Sequence, residues 1–304
     1  MAFSHFIIRE QIGRFWPFFV LLFLGIVYLI HVDFSMSRRM LSPTDARKLQ
    51  SYVASPYIQH SSDRKHLPYP VMLALVHYAT TSTTPQQNRE EIIITANILS
   101  QKAPCNFLIF GLGYDSLLWQ TLNYGGNTVF LEEDANWIAE VEKSNPEIRA
   151  IHVHYSTLVS DADNLLAYAR QEKRICSPEV DLRSSKCKLA MTALPEKIYD
   201  EKWDVVMIDA PRGYFEEAPG RMSAIFSAAV IAKGRNKKES THILLHDIDR
   251  SVEKTFSMEF FCFKNLVEGT GKLWHFQIYG DGESRSSEFC RSVPVAASLA
   301  PSSN

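Results

Sequence analysis

The sequence predicts an α/β fold in which a mostly parallel sheet is covered by helices on both faces. From residue 107 onward, short apolar segments alternate with segments of helical spacing, which is the pattern of strand–helix–strand units. The apolar segments do not alternate with polar residues, as is typical of strands buried on both faces. The chain has 304 residues, of which 46% are hydrophobic, so it has room for one such domain and extra segments.

The predicted elements follow in chain order. Two helices precede the sheet, at 68–78 and 84–101. Strands are predicted at 107–111, 128–132, 150–155, 204–209, 241–247 and 273–278. Helices are predicted between them at 115–123, 135–144, 158–171, 219–233 and 251–260.

The N-terminus carries a different pattern. Residues 15–32 read FWPFFVLLFLGIVYLIHV, an apolar run of about 18 residues that just suffices to cross a bilayer. No small-x-small cleavage site follows it, which favours a signal anchor over a cleaved signal peptide. Arg9 and Arg14 precede the run and Arg38 and Arg39 follow it, so charge counting leaves the orientation open. The predicted organisation is a tail at 1–14, an anchor at 15–32, a stem at 33–83, an α/β domain at 84–290 and a tail at 291–304.

The spacing of the cysteines suggests whether the α/β domain lies in an oxidising compartment or in the cytosol. Cys176 and Cys187 bracket a short loop of turn and charged residues, SPEVDLRSSK. A local disulfide there would imply an oxidising compartment, whereas two reduced thiols would suit a cytosolic loop. Five cysteines leave at least one free or paired between chains, and no C-x-x-C spacing indicates a zinc module.

A glycine turn follows the first strand of the predicted sheet. The residues are GLGYDS, from Gly111 through Asp115 to Ser116. Gly111 and Gly113 let the backbone turn sharply and approach a ligand without an intervening Cβ. Asp115 and Ser116 are residue types that cap the helix that follows. An ordinary strand–turn–helix without a ligand is the alternative.

Carboxylates at the end of the second strand suggest which kind of ligand the turn binds. This strand ends in FLEED, which places Glu132 and Glu133 where an acid can accept the hydroxyls of a ribose. A dinucleotide site has a third glycine in its turn, which is absent here, and Asp115 would repel a pyrophosphate. A cofactor with a cationic centre, S-adenosylmethionine, therefore fits better than NAD, although an NAD-linked oxidoreductase stays an alternative.

A second group of polar residues follows two later strands. Asp209 ends the strand in WDVVMIDAPRGY, and His246 and Asp247 end the strand in THILLHDIDR. The carboxyl ends of parallel strands form the ligand crevice, so the three side chains should meet beside the glycine turn. Asp209 and Asp247 are predicted ligands of a divalent metal, and His246 is a candidate ligand or general base. Helix caps and a core imidazole are the alternative.

Two arginines lie near this crevice. Arg212 follows Asp209, and Arg221 is expected in the first turn of the next helix. Arginine suits recognition of a carboxylate-bearing substrate, while salt bridges with Glu216 and Glu217 are an equally good explanation. The net charge of −2 is not that of a general nucleic-acid binder.

Long motifs indicate a family. FGLGYDSLLW, FLEED, KWDVVMIDAPRGYFEEAPGRMSAIF and LLHDIDRSVEKTFSMEFFC together resemble the plant glucuronoxylan 4-O-methyltransferase family, over about residues 99–276. This family includes the irregular xylem 15 proteins and the arabinogalactan methyltransferases. KLWHFQIYG and the SEFC segment at 287–290 are more similar to the arabinogalactan enzymes.

The resemblance implies a fold, an activity and a location. The fold would be that of the Rossmann-like S-adenosylmethionine-dependent methyltransferases, in a single-pass type II protein of the Golgi membrane with its catalytic domain in the lumen. The activity would be methyl transfer to O4 of glucuronosyl residues on glucuronoxylan or arabinogalactan. A non-catalytic, membrane-anchored scaffold of a polysaccharide synthesis complex is the alternative, and the oligomeric state stays open.

Overall fold

The computed structural model describes residues 67–282 and 287–290. The compact unit that contains the sheet begins at Leu67. The predicted anchor at 15–32, both predicted tails and most of the predicted stem lie outside the described residues. Within the described ranges, no helix combines the length and the apolar character needed to cross a membrane.

The described elements begin with two helices and continue as an alternation of strands and helices. The helices are α1 (Tyr69–Thr80), α2 (Arg89–Lys102), α3 (Ser116–Leu122), α4 (Ala135–Ser144), α5 (Ala162–Gln171), α6 (Glu196–Asp200), α7 (Met222–Lys233) and α8 (Ser251–Phe260). The strands are β1 (Asn106–Phe110), β2 (Asn127–Glu132), β3 (Ala150–His152), β4 (Val205–Ile208), β5 (Ser240–Leu245), β6 (Leu266–Thr270) and β7 (Leu273–Tyr279).

The strands form one seven-stranded sheet in the order β3-β2-β1-β4-β5-β7-β6. The five strands β1 to β5 all run parallel to one another, and β7 runs antiparallel to its two neighbours, β5 and β6. Phe110 at the end of β1 is in register with Leu131 of β2 and Ile208 of β4, and Ile208 is in register with Leu245 of β5. The residues that follow these strands therefore meet at one edge, where the strand order reverses and where such sheets bind ligands.

Both faces of the sheet are buried, which explains the unbroken apolar strands. Leu108 and Phe110 of β1 belong to one apolar cluster with residues of α5, α7 and α8. Phe107 and Ile109 face the opposite cluster, which includes residues of α2, α3 and α4. The predicted α/β class with a mostly parallel sheet is thus confirmed.

Several predicted boundaries were wrong. The edge strand β6 was not predicted, because most of its residues are exposed and it lacks a buried apolar run. The third strand ends at His152 rather than at 155, and the helix predicted over 158–171 begins with a 3₁₀ turn before α5. Helix α1 lies in the predicted stem. Its Tyr78 hydroxyl donates to the carbonyl of Tyr114, in the turn before α3, and accepts from the backbone N–H of Leu118 in α3.

The structure contains two disulfides. One joins Cys176 and Cys187, the pair that brackets the charged loop. The other joins Cys262 at the end of α8 to Cys290, a pairing that the sequence left open. Cys105 is a free, buried thiol, and burial raises its pKa to about 11.

Candidate active site

The glycine turn after β1 has no room for a side chain at Gly111 or Gly113. Gly111 has a φ of +116°, and a Cβ on it would lie 3.0 Å from the Cβ of Ala210 in the segment after β4. A Cβ on Gly113 would lie 2.8 Å from Asp115 Oδ1 and 3.0 Å from Gln86 Oε1. Glycine leaves this space open, so the backbone of the turn stays accessible to a ligand.

Asp115 is a buried carboxylate that forms no ion pair among the described residues. It occupies the N-cap position of α3, but its side chain makes no capping hydrogen bond, so the predicted capping role was wrong. The residue is 5% exposed, and its Oδ2 has no hydrogen-bond partner. Burial, followed by the charge of Asp209, raises the pKa of Asp115 to about 6. A cationic ligand beside Asp115 would stabilise its ionised form and lower its pKa.

The two glutamates after β2 differ in their partners. Glu132 is buried, with Oε2 accepting from the backbone N–H of Leu112 at 3.0 Å and Oε1 from that of Asp134 at 2.9 Å. Glu132 therefore braces the glycine turn. Glu133 Oε1 accepts from Arg212 Nε at 3.0 Å. Arg212 thus pairs with an acid of the turn region rather than with the surface glutamates that follow it.

The carboxyl ends of β4 and β5 bring Asp209, His246 and Asp247 together. His246 Nδ1 lies 3.2 Å from Asp209 Oδ1 and 3.5 Å from Asp247 Oδ1. One donor atom from each of the three residues lies within 4.8 Å of the others. Asp247 has a φ of +57°, an unusual conformation for a non-glycine residue that is found preferentially at functional sites.

Arg221 lines the cavity, and its guanidinium is paired with this cluster; its expected role in substrate binding stays a prediction. It is 3% exposed and holds the N-cap position of α7. Its Nη2 donates to Asp247 Oδ2 at 2.7 Å and to Asp209 Oδ1 at 3.2 Å, and its Nη1 donates to the carbonyl of His246 at 2.8 Å. The guanidinium therefore acts as the buried counter-charge of the two carboxylates.

The pKa values of the cluster reflect these ion pairs. Burial by itself would lower the pKa of His246, but its contacts with Asp209 and Asp247 outweigh burial and raise that pKa to about 10. Burial by itself would raise the pKa values of Asp209 and Asp247, but His246 and Arg221 hold both below their usual range. At neutral pH the cluster therefore consists of two carboxylates, an imidazolium and a guanidinium.

Glu91 of α2 completes the cluster and was missed by the sequence analysis. It is 2% exposed and forms a capping box with Asn88. Its Oε2 lies 3.4 Å from His246 Nε2, and its Oε1 accepts from the backbone N–H of Lys272 at 2.7 Å. Glu91 therefore orients the imidazole from the side opposite to the aspartates.

Gln87 is a second missed residue, and its Nε2 donates to Asp209 Oδ2 at 3.2 Å. The Asn88–Glu91 spacing is a capping box that the sequence displays. That signal would have located the start of α2, but not its contact with the site.

One cavity joins the two groups of residues. It has a volume of about 800 Å³, and its lining runs from Gly111 and Asp115 to Asp209 and His246. This volume lies within the range of cofactor and small-ligand sites. The arrangement can hold a cationic ligand at one end, and it presents carboxylates and an imidazolium at the other.

Comparison with known proteins places this site in a family. The model of the IRX15/IRX15L/GXM family matches residues 90–276. Arabinogalactan O-methyltransferase 1 of Arabidopsis thaliana is 54% identical over 211 residues, 69% of this chain and 73% of that protein. Glucuronoxylan 4-O-methyltransferase 1 of the same plant is 40% identical over 276 residues, 90% of this chain and 94% of that protein. Protein IRREGULAR XYLEM 15 is 38% identical over 243 residues, 78% of this chain and 74% of that protein. The chain belongs to the IRX15/IRX15L/GXM family, which confirms the predicted resemblance.

Proposed function

We propose that this chain is an S-adenosylmethionine-dependent methyltransferase that acts on O4 of glucuronosyl side residues of a plant cell-wall polysaccharide, with arabinogalactan as the preferred acceptor. The observation that carries the proposal is the single cavity that joins the glycine turn to the Asp209–His246–Asp247 cluster. The 54% identity to an arabinogalactan O-methyltransferase over 211 residues, against 46% to a glucuronoxylan 4-O-methyltransferase over 224 residues, supports the choice of acceptor.

The residues around the turn fit the cofactor. S-adenosylmethionine supplies a methyl group on a sulfonium centre when it is bound. Oδ2 of the buried Asp115 has no hydrogen-bond partner, and a positive charge beside it would stabilise the ionised carboxylate. The absence of a Cβ at Gly111 and Gly113 lets the cofactor approach the backbone closely. Glu132 and Glu133 end β2 at the same cavity and are the candidate acceptors for ribose hydroxyls.

Asp209 is the candidate proton acceptor for the sugar hydroxyl. A secondary hydroxyl must lose its proton as it becomes a nucleophile, and an acceptor must lie within hydrogen-bond reach. His246 has a pKa of about 10, so it is protonated at neutral pH and cannot begin as the base. Asp209 is ionised, its Oδ1 is held by His246 and Arg221, and its Oδ2 is bonded to Gln87. We assign Oδ2 as the atom that receives the proton, while the imidazolium and the guanidinium hold the carboxylate in place.

The cluster also fits a divalent metal ion. Two carboxylates and an imidazole are a suitable donor set, and one donor atom of each lies within 4.8 Å of the others. As an alternative to the ion-paired cluster, Asp209 and Asp247 would hold the ion together with neutral His246, whose proton would be released. Asp209 would then be a ligand and not the proton acceptor. Such an ion would supply Lewis acidity that lowers the pKa of the sugar hydroxyl.

We place the protein in the Golgi membrane, as a type II protein with the catalytic domain in the lumen. The apolar run at 15–32 supports an anchor, and it lies outside the described residues. The two disulfides, Cys176–Cys187 and Cys262–Cys290, support an oxidising compartment. Protease protection in sealed microsomes tests the orientation: the α/β domain should be protected, and cleavage of it without detergent would contradict the assignment.

The activity is tested by methyl transfer from labelled S-adenosylmethionine with the full chain in detergent. De-methylated arabinogalactan and de-methylated glucuronoxylan serve as parallel acceptors, each with and without a chelator. We expect transfer to arabinogalactan to exceed transfer to glucuronoxylan, and loss with the chelator would support the metal. Absence of cofactor binding would favour the non-catalytic scaffold instead.

A matched pair of variants separates the two ends of the cavity. Gly113→Val places a side chain where a Cβ already approaches Asp115 and Gln86, so it should abolish cofactor binding. Asp209→Ala should abolish transfer while the dissociation constant of the cofactor stays near that of the wild type. Unchanged cofactor affinity in the first variant would count against the turn, and substantial turnover in the second would count against Asp209.

A further inference from the structure

We propose that Lys272 binds the carboxylate of the acceptor's uronic acid residue and so determines the preference for an acidic sugar. The inference rests on the proposed function, and it revises the expectation that Arg212 or Arg221 performs this task. Lys272 lies in the turn between β6 and β7 and lines the same cavity as the catalytic cluster.

The chemistry of the acceptor restricts where such a residue can lie. In a glucuronosyl residue the carboxyl group is attached to C5, next to the carbon that bears the reacting hydroxyl. The carboxylate therefore lies within a few ångströms of O4, beside whichever group accepts the proton. Only a cation that lines the cavity close to Asp209 and His246 can reach it.

Three arginines line the cavity, and two of them, Arg221 and Arg250, pair with the carboxylates of the cluster. Arg212 pairs with Glu133 at the end of β2, on the side of the glycine turn. Arg221 is buried under Asp209 and Asp247. Arg250 Nη2 lies 2.9 Å from Asp247 Oδ2, and its Nη1 lies 3.7 Å from the buried Glu253 Oε1. Moving Arg221 or Arg250 would leave a buried carboxylate of the cluster without its counter-charge, whereas Arg212 is set apart by its position beside Glu133.

The ammonium group of Lys272 is held more weakly than the guanidinium groups of Arg221 and Arg250. Its ion pair is with Asp249 at 3.3 Å, and the two side chains are 55% and 53% exposed. Exposed pairs of this kind contribute about 0–1 kcal/mol. A substrate carboxylate can therefore replace Asp249 at little cost.

The backbone of Lys272 is nevertheless fixed against the catalytic cluster. Its N–H donates to Glu91 Oε1 at 2.7 Å, and its carbonyl accepts from the N–H of Ile248 at 3.0 Å. Glu91 lies 3.4 Å from His246 Nε2. The backbone of Lys272 is thus fixed beside the cluster, while its ammonium group can exchange Asp249 for a substrate carboxylate.

The test pairs a change in the enzyme with the matching change in the substrate. Lys272→Met, Lys272→Arg and the wild type are assayed on the de-methylated polymer and on the same polymer after reduction of its carboxyl groups to hydroxymethyl groups, which leaves O4 intact. Lys254→Met, on the exposed side of α8 and outside the cavity lining, is the matched control. Cofactor affinity and circular dichroism check that each variant is folded.

We expect reduction of the carboxyl group to lower kcat/KM of the wild type roughly 10- to 100-fold, as for loss of a charge-assisted hydrogen bond. Lys272→Met should lose a similar factor on the acidic polymer, mainly through KM, and should treat the two polymers nearly alike. Lys272→Arg should retain part of the preference, and Lys254→Met all of it. A Lys272→Met variant that keeps the wild-type ratio between the polymers overturns the inference.

Failure of the proposed function is recognised separately. If the wild type binds the cofactor but methylates neither polymer, the dissociation constant of a glucuronosyl disaccharide is compared between the wild type and Lys272→Met. Weaker binding by the variant would keep Lys272 as a carboxylate site although the acceptor was wrong. Equal affinity, or no binding by either protein, would overturn the inference as well.

Discussion

Aspartates in the two halves of the cavity respond to burial in opposite ways. In the half built from the glycine turn, burial raises the pKa of Asp115 to about 6. In the half built from the ends of β4 and β5, Asp209 and Asp247 are also shielded from water, yet their pKa values lie below the usual range. The side chain is the same in all three cases, so its neighbours decide the result.

The difference lies in the counter-charges. Asp209 and Asp247 share Arg221 and His246, which belong to the protein. Asp115 forms no ion pair among the described residues, and burial and the charge of Asp209 outweigh the charge of His246 there, so we expect a cationic ligand to supply its partner. The carboxylates of one half are neutralised within the folded chain, and we expect a bound ligand to neutralise the carboxylate of the other. Four substitutions test this contrast.

The largest effect is expected for Asp209→Asn, which keeps the shape and removes the proton acceptor. Transfer should fall roughly 10²- to 10⁴-fold, the range for loss of a general base, while cofactor affinity changes less than about twofold. Single-turnover rates and equilibrium binding of the cofactor measure the two quantities. Asp204→Asn, at the amino end of the same strand where Asp204 pairs with Arg235, is the control that should retain activity. Near-normal turnover in Asp209→Asn would contradict the assignment.

Arg221→Met should give the largest loss of stability. It leaves Asp209 and Asp247 without their buried guanidinium, and breaking such a pair typically costs about 3–5 kcal/mol. Chemical denaturation at pH 7 measures the free energy of unfolding. A loss below about 1 kcal/mol would mean that the carboxylates of this half do not depend on Arg221.

Asp115→Asn should stabilise the free protein while it weakens cofactor binding. Because the pKa of Asp115 rises from 3.8 to about 6 on folding, its ionisation disfavours the folded state above pH 6 and has no effect below both values. The variant should therefore gain about 1–3 kcal/mol of unfolding free energy at neutral pH, and the gain should disappear as the pH falls from 6 towards 4.

Cofactor affinity gives the second measurement on Asp115. In the wild type it should increase as the pH rises through about 6, because the carboxylate then carries its charge. The affinity of Asp115→Asn should be weaker and nearly independent of pH in that interval. A variant that binds the cofactor as tightly as the wild type would show that Asp115 does not serve the cationic ligand.

The smallest effect is expected for Arg212→Met. Arg212 pairs with Glu133 at 3.0 Å, but its side chain is 56% exposed, and exposed pairs are worth about 0–1 kcal/mol. Unfolding measurements should show a loss below about 1 kcal/mol that shrinks further in high salt. A loss comparable with that of Arg221→Met would remove the contrast between exposed and buried arginines in this cavity.

Residues that belong to a strand and the turn after it could be predicted from the sequence. Asp209, His246 and Asp247 follow apolar strands, and parallel strands bring their carboxyl ends to one edge of the sheet. Gly111 and Gly113 could be recognised in the same way. The predicted anchor at 15–32 stays a prediction, because it lies outside the described residues.

Residues that reach the site from other elements could not be predicted. Glu91 contacts His246 across a separation of 155 residues, and its only local signal is a helix cap. Lys272 lies in the turn of a hairpin whose outer strand is too exposed to show an apolar pattern. Arg221 pairs with two buried carboxylates from the N-cap position of α7. The sequence predicted that this helix begins three residues earlier, so it did not indicate this position for Arg221.

The sequence alone therefore determined the α/β class, the glycine turn and the acids at the strand ends, because these follow from local periodicity and from the geometry of parallel strands. Only the tertiary structure decided which charges neutralise one another: Asp209 and Asp247 are paired inside the protein, and Asp115 forms no ion pair among the described residues. The physical reason is that a buried charge is governed by the neighbours within a few ångströms of it, and those neighbours come from parts of the chain that no local pattern connects.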